Sequence, residues 1–212
     1  MVRKIDQVYV SRETLDSAKE MYGEHFETME GYINELLWWN KKLNLVSRDV
    51  SRETLQDHLV HSLLPSVMGL LDGINDWVDA GTGGGLPGIP LALVEGSKKW
   101  ILNDIMSKKV AAVKQMIHKL NLLNASGKAG SLGDLELDSG SGIISKHAFS
   151  VQEILKLMDN KPWERLIMYK GAKESIEECK EVEGGYSVLV YIFNFGKDES
   201  FYQGKGLLVV NR

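Results

Sequence analysis

Apolar residues in the first third of the chain recur every three or four positions, the spacing of one face of an α-helix. The first such stripe consists of Phe26, Met29, Ile33, Leu36 and Leu37. The second stripe consists of Leu55, Leu59 and Leu63. Pro65 follows this stripe and marks its end or a kink, because proline removes a helical N–H. The pattern predicts a helical N-terminal extension over residues 1–72 that packs on the core.

From residue 75 onward, short apolar runs alternate with segments of helical periodicity. The runs predict strands at 76–80, 100–104, 141–145 and 165–169. The segments between them predict helices at 87–94, 108–123 and 151–158. Two β-rich stretches, 186–195 and 206–210, predict an antiparallel hairpin. This alternation is typical of a mostly parallel, doubly wound α/β sheet, here one domain over residues 73–212.

The composition is that of an ordinary globular protein. Of 212 residues, 43% are hydrophobic and 25% are charged, which predicts a packed core. The formal charge of −4 argues against a protein that coats nucleic acid through bulk charge, but leaves room for a local basic face. No apolar run reaches the roughly 20 residues that span a bilayer, and residues 1–7 lack a signal-peptide core. We therefore expect a cytoplasmic protein with no membrane contact.

A glycine-rich turn between the first predicted strand and helix of the domain is the most informative stretch. Its sequence is Asp79-Ala-Gly-Thr-Gly-Gly-Gly-Leu-Pro-Gly88. Gly81, Gly83 and Gly85 remove side chains where the backbone passes close to a ligand, and they permit positive φ angles. The turn follows the carboxyl end of a strand, where α/β sheets bind their ligands. We therefore expect a cofactor-binding loop.

The chemistry around the turn favours S-adenosylmethionine over a nucleotide phosphate. The turn lacks the Gly-Lys-Ser/Thr ending of a P-loop, although Gly83, Gly85 and Gly88 match the weak dinucleotide pattern Gly-x-Gly-x-x-Gly. Asp79 precedes the turn, and Asp104 ends the next strand, where a carboxylate can accept hydrogen bonds from ribose hydroxyls. S-adenosylmethionine carries an ammonium and a sulfonium, so acidic residues without an adjacent basic one favour it over a pyrophosphate. The alternative is an NAD-dependent oxidoreductase, for which no catalytic Lys/Tyr or His pair is evident.

The other reactive side chains predict neither metal nor nucleophilic chemistry. Cys179 is the single cysteine and lies in an acidic, helix-like stretch, so neither a disulfide nor an activated thiol is expected. His58 and His61 can share a helix face, but with no third ligand evident we expect packing and hydrogen bonding. Basic residues form either an RNA-facing surface or solvated helix faces. They are Lys41, Lys42, Arg48, Arg52, Lys108, Lys109 and Lys114.

Five motifs are recognisable along the middle of the chain. They are Trp39-Asn-Lys-Lys-Leu-Asn-Leu45, His58-Leu-Val-His-Ser-Leu-Leu64, the Leu86-Pro-Gly-Ile-Pro90 tail of the turn, Ser145-Lys-His-Ala-Phe149 and Tyr169-Lys-Gly171. Together they resemble the small-subunit ribosomal RNA methyltransferase G family, also called the glucose-inhibited division protein B family. The resemblance implies a Rossmann-like class I methyltransferase that uses S-adenosyl-L-methionine to methylate guanine N7 in 16S rRNA. Its implied partner is 16S rRNA or the small ribosomal subunit, with no metal, and we expect a monomer.

The resemblance also assigns roles to individual residues. Lys146 falls at the position that faces the transferred methyl or the RNA, which makes it the candidate catalytic residue. With the residues of the turn, the candidate cofactor-binding set is Asp79, Gly81, Gly83, Gly85, Leu86, Asp104, Leu132, Gly133 and Lys146. The candidate RNA-binding set is Lys41, Lys42, Asn44, Arg48 and Lys170.

The chain departs from the family pattern at three positions near these residues, and also just before the third core strand, where Ser-Gly stands for the usual Phe-Asp. Lys146 stands where the family has arginine, and His61 stands where it has aspartate. Gly133 replaces an acidic residue on the adenine side of the cofactor. Lysine lacks the planar fork of arginine, so the two are not interchangeable at a bidentate site. A relative that binds RNA or cofactor without turnover is therefore a second alternative.

Overall fold

The structure, a computed structural model, describes residues 5–180, 182 and 185–212. Its strands are β1 Ile5–Val10, β2 Asp76–Ala80, β3 Lys99–Asp104, β4 Ala125–Ala129, β5 Ser141–Lys146, β6 Trp163–Gly171, β7 Ser187–Phe193 and β8 Lys205–Asn211. They form one sheet in the order β1-β7-β8-β6-β5-β2-β3-β4. Neighbouring strands are parallel except that β8 runs antiparallel to β6 and β7. The predicted mostly parallel sheet and its C-terminal hairpin are confirmed.

Helices cover both faces of this sheet. They are α1 Arg12–Glu24, α2 Phe26–Leu43, α3 Arg52–Val67, α4 Gly88–Val94, α5 Ser107–Lys119, α6 Val151–Leu157 and α7 Ala172–Lys180. Apolar residues of α1 to α5 pack in one buried cluster on one face, and those of α6 and α7 pack in a second cluster on the other. In the described part of the chain, no helix has the length and apolar character needed to cross a membrane.

Several helix ends follow from short-range sequence signals. Ser51 precedes α3, and its hydroxyl accepts a hydrogen bond from a backbone N–H in the first turn. Ser150 and Glu153 form a reciprocal capping box at the start of α6. Pro65 lies inside α3, which continues for two more residues, so this proline stands in the last turn of the helix.

Two strands at the edges of the sheet were not predicted. β1 lies in the segment that we expected to be wholly helical, so that expectation was wrong there. It pairs in parallel with β7 and exposes most of its side chains, so it lacks the apolar alternation of a half-buried strand. β4 carries no β-branched or aromatic residue and pairs only with β3. The division at residue 72 stays a prediction, although β1 ties the N-terminal segment to the sheet.

The topology creates a crevice at the carboxyl end of β2. From β2 the chain moves to β3 and β4 on one side, and it later returns to β5 on the other side. Asp79 at this end lies beside Leu102 of β3 and Ile144 of β5. At such a switch point the loops that follow neighbouring strands separate, and ligands bind between them. The glycine-rich turn begins at this point.

Candidate functional site

The glycine-rich turn adopts a backbone conformation that side chains disfavour. Gly81, Gly83 and Gly85 have φ angles of 72°, 56° and 104°. A Cβ atom on Gly81 would lie 2.4 Å from the Cβ atom of Ala148, in the loop after β5. The turn thus passes directly against the neighbouring loop, and the predicted use of positive φ angles is confirmed.

Asp79 fastens the two ends of the turn together. Its buried oxygen Oδ2 accepts hydrogen bonds from Thr82 Oγ1 at 2.5 Å and from Gly88 N at 2.9 Å. The other oxygen, Oδ1, is buried without a hydrogen-bond partner among the described residues. Burial raises the pKa of Asp79 to about 7, because removal from water disfavours the charged form. The turn is therefore ordered by a carboxyl group that titrates near neutral pH.

The N-terminal helices close over the same turn. Tyr32 of α2 donates a hydrogen bond from its hydroxyl to Gly84 O at 3.0 Å. The Asn40 amide binds the backbone of the connector between α2 and α3 at residues 46–47, at 2.9 and 3.1 Å. The Leu45 Cβ atom lies 3.2 Å from the position that a Cβ atom on Gly84 would take. The Asn40 side chain thus shapes the site by fixing the backbone of this connector.

A first cavity of about 640 Å³ opens between the turn and the carboxyl ends of β3 and β5. Asp104 lines it, accepting hydrogen bonds from Gly83 N at 3.1 Å and from Met106 N at 2.8 Å. Each carboxylate oxygen accepts one of these bonds and so keeps capacity for a ligand. Apolar side chains complete the wall. They are Leu45, Ile105, Met106, Leu132, Phe149 and Leu157.

A second cavity of about 650 Å³ adjoins the turn between α3 and the connector that precedes α3. Its lining from these two elements consists of Leu45, Val46, Ser47, Asp49, Val50, Ser51, Thr54 and His58. Both cavities share part of their lining. The shared residues are Leu45, Gly81, Gly83, Lys146 and His147. Two ligand-sized cavities that meet at one place suit the passage of a group between two bound molecules.

Lys146, at the end of β5, lies at this junction. Its ammonium donates hydrogen bonds to His58 O at 3.0 Å and to Ser62 Oγ at 3.2 Å. It also lies 5.3 Å from the centre of the Tyr169 ring. Burial lowers the pKa of Lys146 to about 7, and the positive charge of Lys205 lowers it further. Lys146 therefore changes its charge near neutral pH.

Four residues of the predicted cofactor set lie away from the first cavity. Asp79 and Gly133 line neither cavity, whereas Leu132 does line the first. Gly85 also lines neither, and a Cβ atom there would lie 2.5 Å from a side chain of α4, which makes it a packing glycine. Leu86 lines the second cavity instead of the first. The structure shows Asp79 ordering the turn, and its direct contact with a cofactor stays a prediction.

Four residues of the predicted RNA-binding set surround the end of α2. Lys41, Lys42, Asn44 and Arg48 are exposed there. Asn44 ends the helix with a left-handed φ of 47°, and its side-chain oxygen accepts a hydrogen bond from Arg48 Nε at 3.1 Å. The Lys42 ammonium lies 3.3 Å from the centre of the Trp38 ring. Their exposure is compatible with RNA binding, which stays a prediction.

Lys170, the fifth of that set, is buried and paired. Its ammonium lies 2.8 Å from Glu178 and 3.1 Å from Glu174. It also donates a hydrogen bond to Phe149 O at 3.2 Å. Because two carboxylates already compensate its charge, this geometry opposes the predicted phosphate contact.

His58 and His61 pack against aromatic rings. The His61 ring is 1% exposed and lies 4.9 Å from the Tyr169 ring, and neither of its nitrogens has a hydrogen-bond partner among the described residues. Burial lowers the pKa of His58 to about 3 and that of His61 well below its ordinary value. The expected packing is confirmed, but the expected hydrogen bonding is wrong for His61. Across residues 5–180, 182 and 185–212, no cluster of three or more His, Cys, Asp or Glu could hold a metal.

Three residues of the site were not identified from the sequence. His147 lines both cavities with a φ of 56°, a conformation that is uncommon outside glycine and frequent at functional sites. Ile105 is 76% exposed and lies beside Asp104 in the lining of the first cavity. Because Ile105 is a bulky apolar residue directly after the acid that ends a strand, the sequence could have identified it. Tyr32 could not be identified from the sequence, because its partner in the turn, Gly84, lies 52 residues away along the chain.

The raised pKa of Asp79 makes the stability of the ligand-free protein depend on pH. A carboxyl whose pKa is higher in the folded than in the unfolded state stabilises the fold at low pH, and this contribution is lost as the pH rises from about 4 to about 7. Asp79→Asn cannot ionise. We therefore expect its free energy of unfolding to rise relative to the wild type between pH 5 and pH 8, by on the order of 2 kcal/mol.

Urea denaturation at several pH values measures this difference. Asp76→Asn, on the same strand but partly exposed, is the matched control and should follow the wild-type curve. Parallel pH profiles for the wild type and Asp79→Asn would contradict a buried ionisable carboxyl.

A family model and two relatives with similar sequences carry the same description. A family model for rRNA small subunit methyltransferase G matches residues 25–192. The ribosomal RNA small subunit methyltransferase G of Chlorobium phaeobacteroides is 34% identical over 161 residues, which cover 75% of this chain and 72% of that protein. The protein of the same name from Chlorobium limicola is 28% identical, with 99% and 97% covered.

Solved structures share the fold at low sequence identity. A methyltransferase from Geobacter sulfurreducens superposes with a TM-score of 0.56 at 12% identity, covering 86% of this chain and 88% of that one. The O-methyltransferase from Bacillus cereus in complex with SAH gives a TM-score of 0.54 at 14% identity, covering 86% and 91%. The fold is therefore the Rossmann-like fold of class I methyltransferases. Since the family model spans well over half of the sequence, the chain belongs to the rRNA small subunit methyltransferase G family.

Proposed function

We propose that the protein transfers a methyl group from S-adenosyl-L-methionine to guanine N7 in 16S rRNA of the small ribosomal subunit. The observation that carries this proposal is the meeting of two cavities at Gly81, Gly83 and Lys146. A methyl transfer needs a donor site and an acceptor site that share a contact point. The relatives named ribosomal RNA small subunit methyltransferase G support the substrate class. On this proposal the protein acts in the cytoplasm, as a monomer.

The first cavity fits the cofactor of a methyltransferase. Its volume of about 640 Å³ lies within the usual range of small-molecule sites. Asp104 would accept hydrogen bonds from the ribose hydroxyls, while Gly81 and Gly83 leave room for the amino-acid end. Ile105 and Leu132 offer apolar surface to the adenine. When bound, S-adenosylmethionine supplies an electrophilic methyl group on a positively charged sulfonium.

Methylation of guanine N7 requires orientation and no removal of a proton. N7 carries a free lone pair, so the protein needs no general base. From the junction of the two cavities, Lys146 would donate a hydrogen bond to guanine O6, the acceptor beside N7 on the same base edge. Positioning of two reactants in this way lowers a barrier by up to about 7–11 kcal/mol. The rigid, Asp79-ordered turn keeps that geometry fixed.

Exposed cations near the cavities supply a local basic face to a protein of formal charge −4. Lys41, Lys42 and Arg48 lie on and beside the connector that lines the second cavity. Lys109 lines the first cavity from α5. Contacts between such residues and phosphates release counterions, so RNA binding should weaken as the salt concentration rises.

Asp104→Asn keeps the shape of the side chain and removes its charge. A hydrogen bond to a charged group contributes about 1.5–3 kcal/mol, so the affinity for S-adenosylhomocysteine should fall about tenfold or more. Asp134→Asn is the matched control, because this exposed acid lies nearby and lines neither cavity. Isothermal titration calorimetry measures all three affinities. If the Asp104→Asn protein bound as tightly as the wild type, the ribose would lie elsewhere.

The substrate is tested with rRNA from a strain that lacks the gene. Protein and labelled S-adenosylmethionine are incubated with this rRNA, and N7-methylguanosine is located by borohydride reduction and aniline cleavage. We expect label at guanine in 16S rRNA. Label only on DNA, protein or a small molecule would overturn the rRNA assignment. If the protein bound the cofactor but labelled none of these molecules, it would be a family member that binds without catalysing methyl transfer.

In the same assay, Lys146→Ala should lower the rate of methyl transfer about tenfold or more, the loss expected for one charged hydrogen bond. Lys146→Arg should retain most of the activity, because it keeps a charged donor at the junction. Lys197→Ala, at an exposed lysine of the loop between β7 and β8, is the control and should match the wild type. Thermal unfolding shows whether each variant is folded. If a folded Lys146→Ala protein methylated RNA at the wild-type rate, Lys146 would have no role in methyl transfer.

A further inference from the structure

Two partly buried lysines, where β5 ends and β8 begins, have no acidic partner in the part of the chain that the structure describes. Lys146 ends β5, and Lys205 begins β8. Among the described residues, no carboxylate lies within 4.0 Å of either ammonium. Lys205 Nζ instead lies 3.1 Å from the centre of the Phe201 ring. Lys170, in contrast, contacts two glutamates, so the fold pairs one lysine of this edge and leaves two unpaired.

The sheet places both unpaired lysines on one face and at one edge. Lys146 lies opposite Tyr169 in β6, and Tyr169 lies opposite Leu207 in β8. Opposed residues point to the same face, and Lys205 shares that face because it lies two residues from Leu207. One strand separates the two lysines, a spacing of roughly 10 Å across the sheet. Since β8 is antiparallel to β6, Lys205 stands at the edge where β5 and β6 end.

His58 of α3 bridges the space between the two lysines. Its carbonyl oxygen accepts a hydrogen bond from Lys146, and its ring lies 4.9 Å from the Phe201 ring. The Lys205 ammonium contacts the same Phe201 ring. His58 also lines the second cavity. Lys146 therefore lines the candidate acceptor site directly, whereas Lys205 is connected to it through the Phe201 ring and the neutral His58 ring.

The electrostatic surroundings of Lys146 and Lys205 favour an anionic ligand. Burial lowers the pKa of Lys205 to about 8, and the charge of Asp57 opposes this shift without forming an ion pair. The positive charge of Lys205 in turn lowers the pKa of Lys146. Partly buried charges that lack a counter-charge cost free energy. An anion bound at Lys205 would reduce that cost.

We propose that Lys205 binds a phosphodiester of the RNA next to the target guanosine, while Lys146 holds the guanine itself. This inference rests on the proposed function and adds a substrate-positioning residue to it. Phosphate is the anion that every RNA brings, and an ammonium on an aromatic face keeps N–H donors for it. A nucleotide carries its base and its phosphate on different sides of the sugar. A guanine held at Lys146 therefore leaves its phosphate free to reach Lys205.

The test is the salt dependence of RNA binding, measured by fluorescence anisotropy with a labelled 16S rRNA fragment that contains the methylated guanine. Loss of one phosphate contact should reduce the slope of log K against log salt by roughly 0.7–0.9. We expect this reduction in Lys205→Gln, with KM for RNA raised, kcat little changed and S-adenosylhomocysteine affinity unchanged. Lys205→Arg should restore the slope. Lys197→Gln, at an exposed lysine outside the site, should keep it.

Lys205→Met keeps the apolar contact with Phe201 and replaces Lys205→Gln if the latter unfolds. An unchanged slope in a folded Lys205 variant would overturn the inference, while rRNA methylation by the wild type would leave the proposed function standing. An equal reduction in Lys197→Gln would also overturn it, because the effect would then be one of general charge. If the wild type neither bound nor methylated any rRNA, the proposed function itself would fail.

Discussion

One oxygen of Asp79 accepts hydrogen bonds from Thr82 and Gly88, and so joins the two ends of a turn whose backbone would otherwise be free to move. The turn can adopt its path only because its glycines tolerate positive φ. With its ends fixed, the backbone N–H of Gly83 reaches Asp104 on the next strand, and the first cavity gains its polar wall. The carboxyl that orders the turn is itself buried, and burial raises its pKa.

The N-terminal segment completes the site. Tyr32 holds the turn from outside, and Asn40 fixes the connector whose residue Leu45 lines both cavities. Without this connector and α3, the second cavity would lose one side and the glycine turn would face solvent. The sheet and its loops therefore supply most of the first cavity, and the N-terminal segment supplies one side of the second, the proposed acceptor site.

Charge at the carboxyl edge of the sheet is arranged unevenly, which separates structural lysines from those open to a ligand. Lys170 is held by two glutamates and stabilises the packing of α7. Among the described residues, Lys146 and Lys205 have no such partners. A lysine is a compact charge with a pKa that shifts on burial, whereas arginine stays charged. A phosphate of the bound RNA would supply the negative charge that is missing here.

The sequence by itself determined the alternation of the central strands and helices after residue 75, although not β4, together with the position of the turn and the acid at Asp104. These features depend on local periodicity, on the freedom of glycine and on the end of a strand, all of which are encoded within a few residues. Only the tertiary structure decided that Gly85 packs while Gly81 lines both cavities, and that Lys170 contacts two glutamates while Lys205 contacts the Phe201 ring. Such differences arise because the surroundings of a side chain are set by elements that are distant in sequence and meet only in the folded protein.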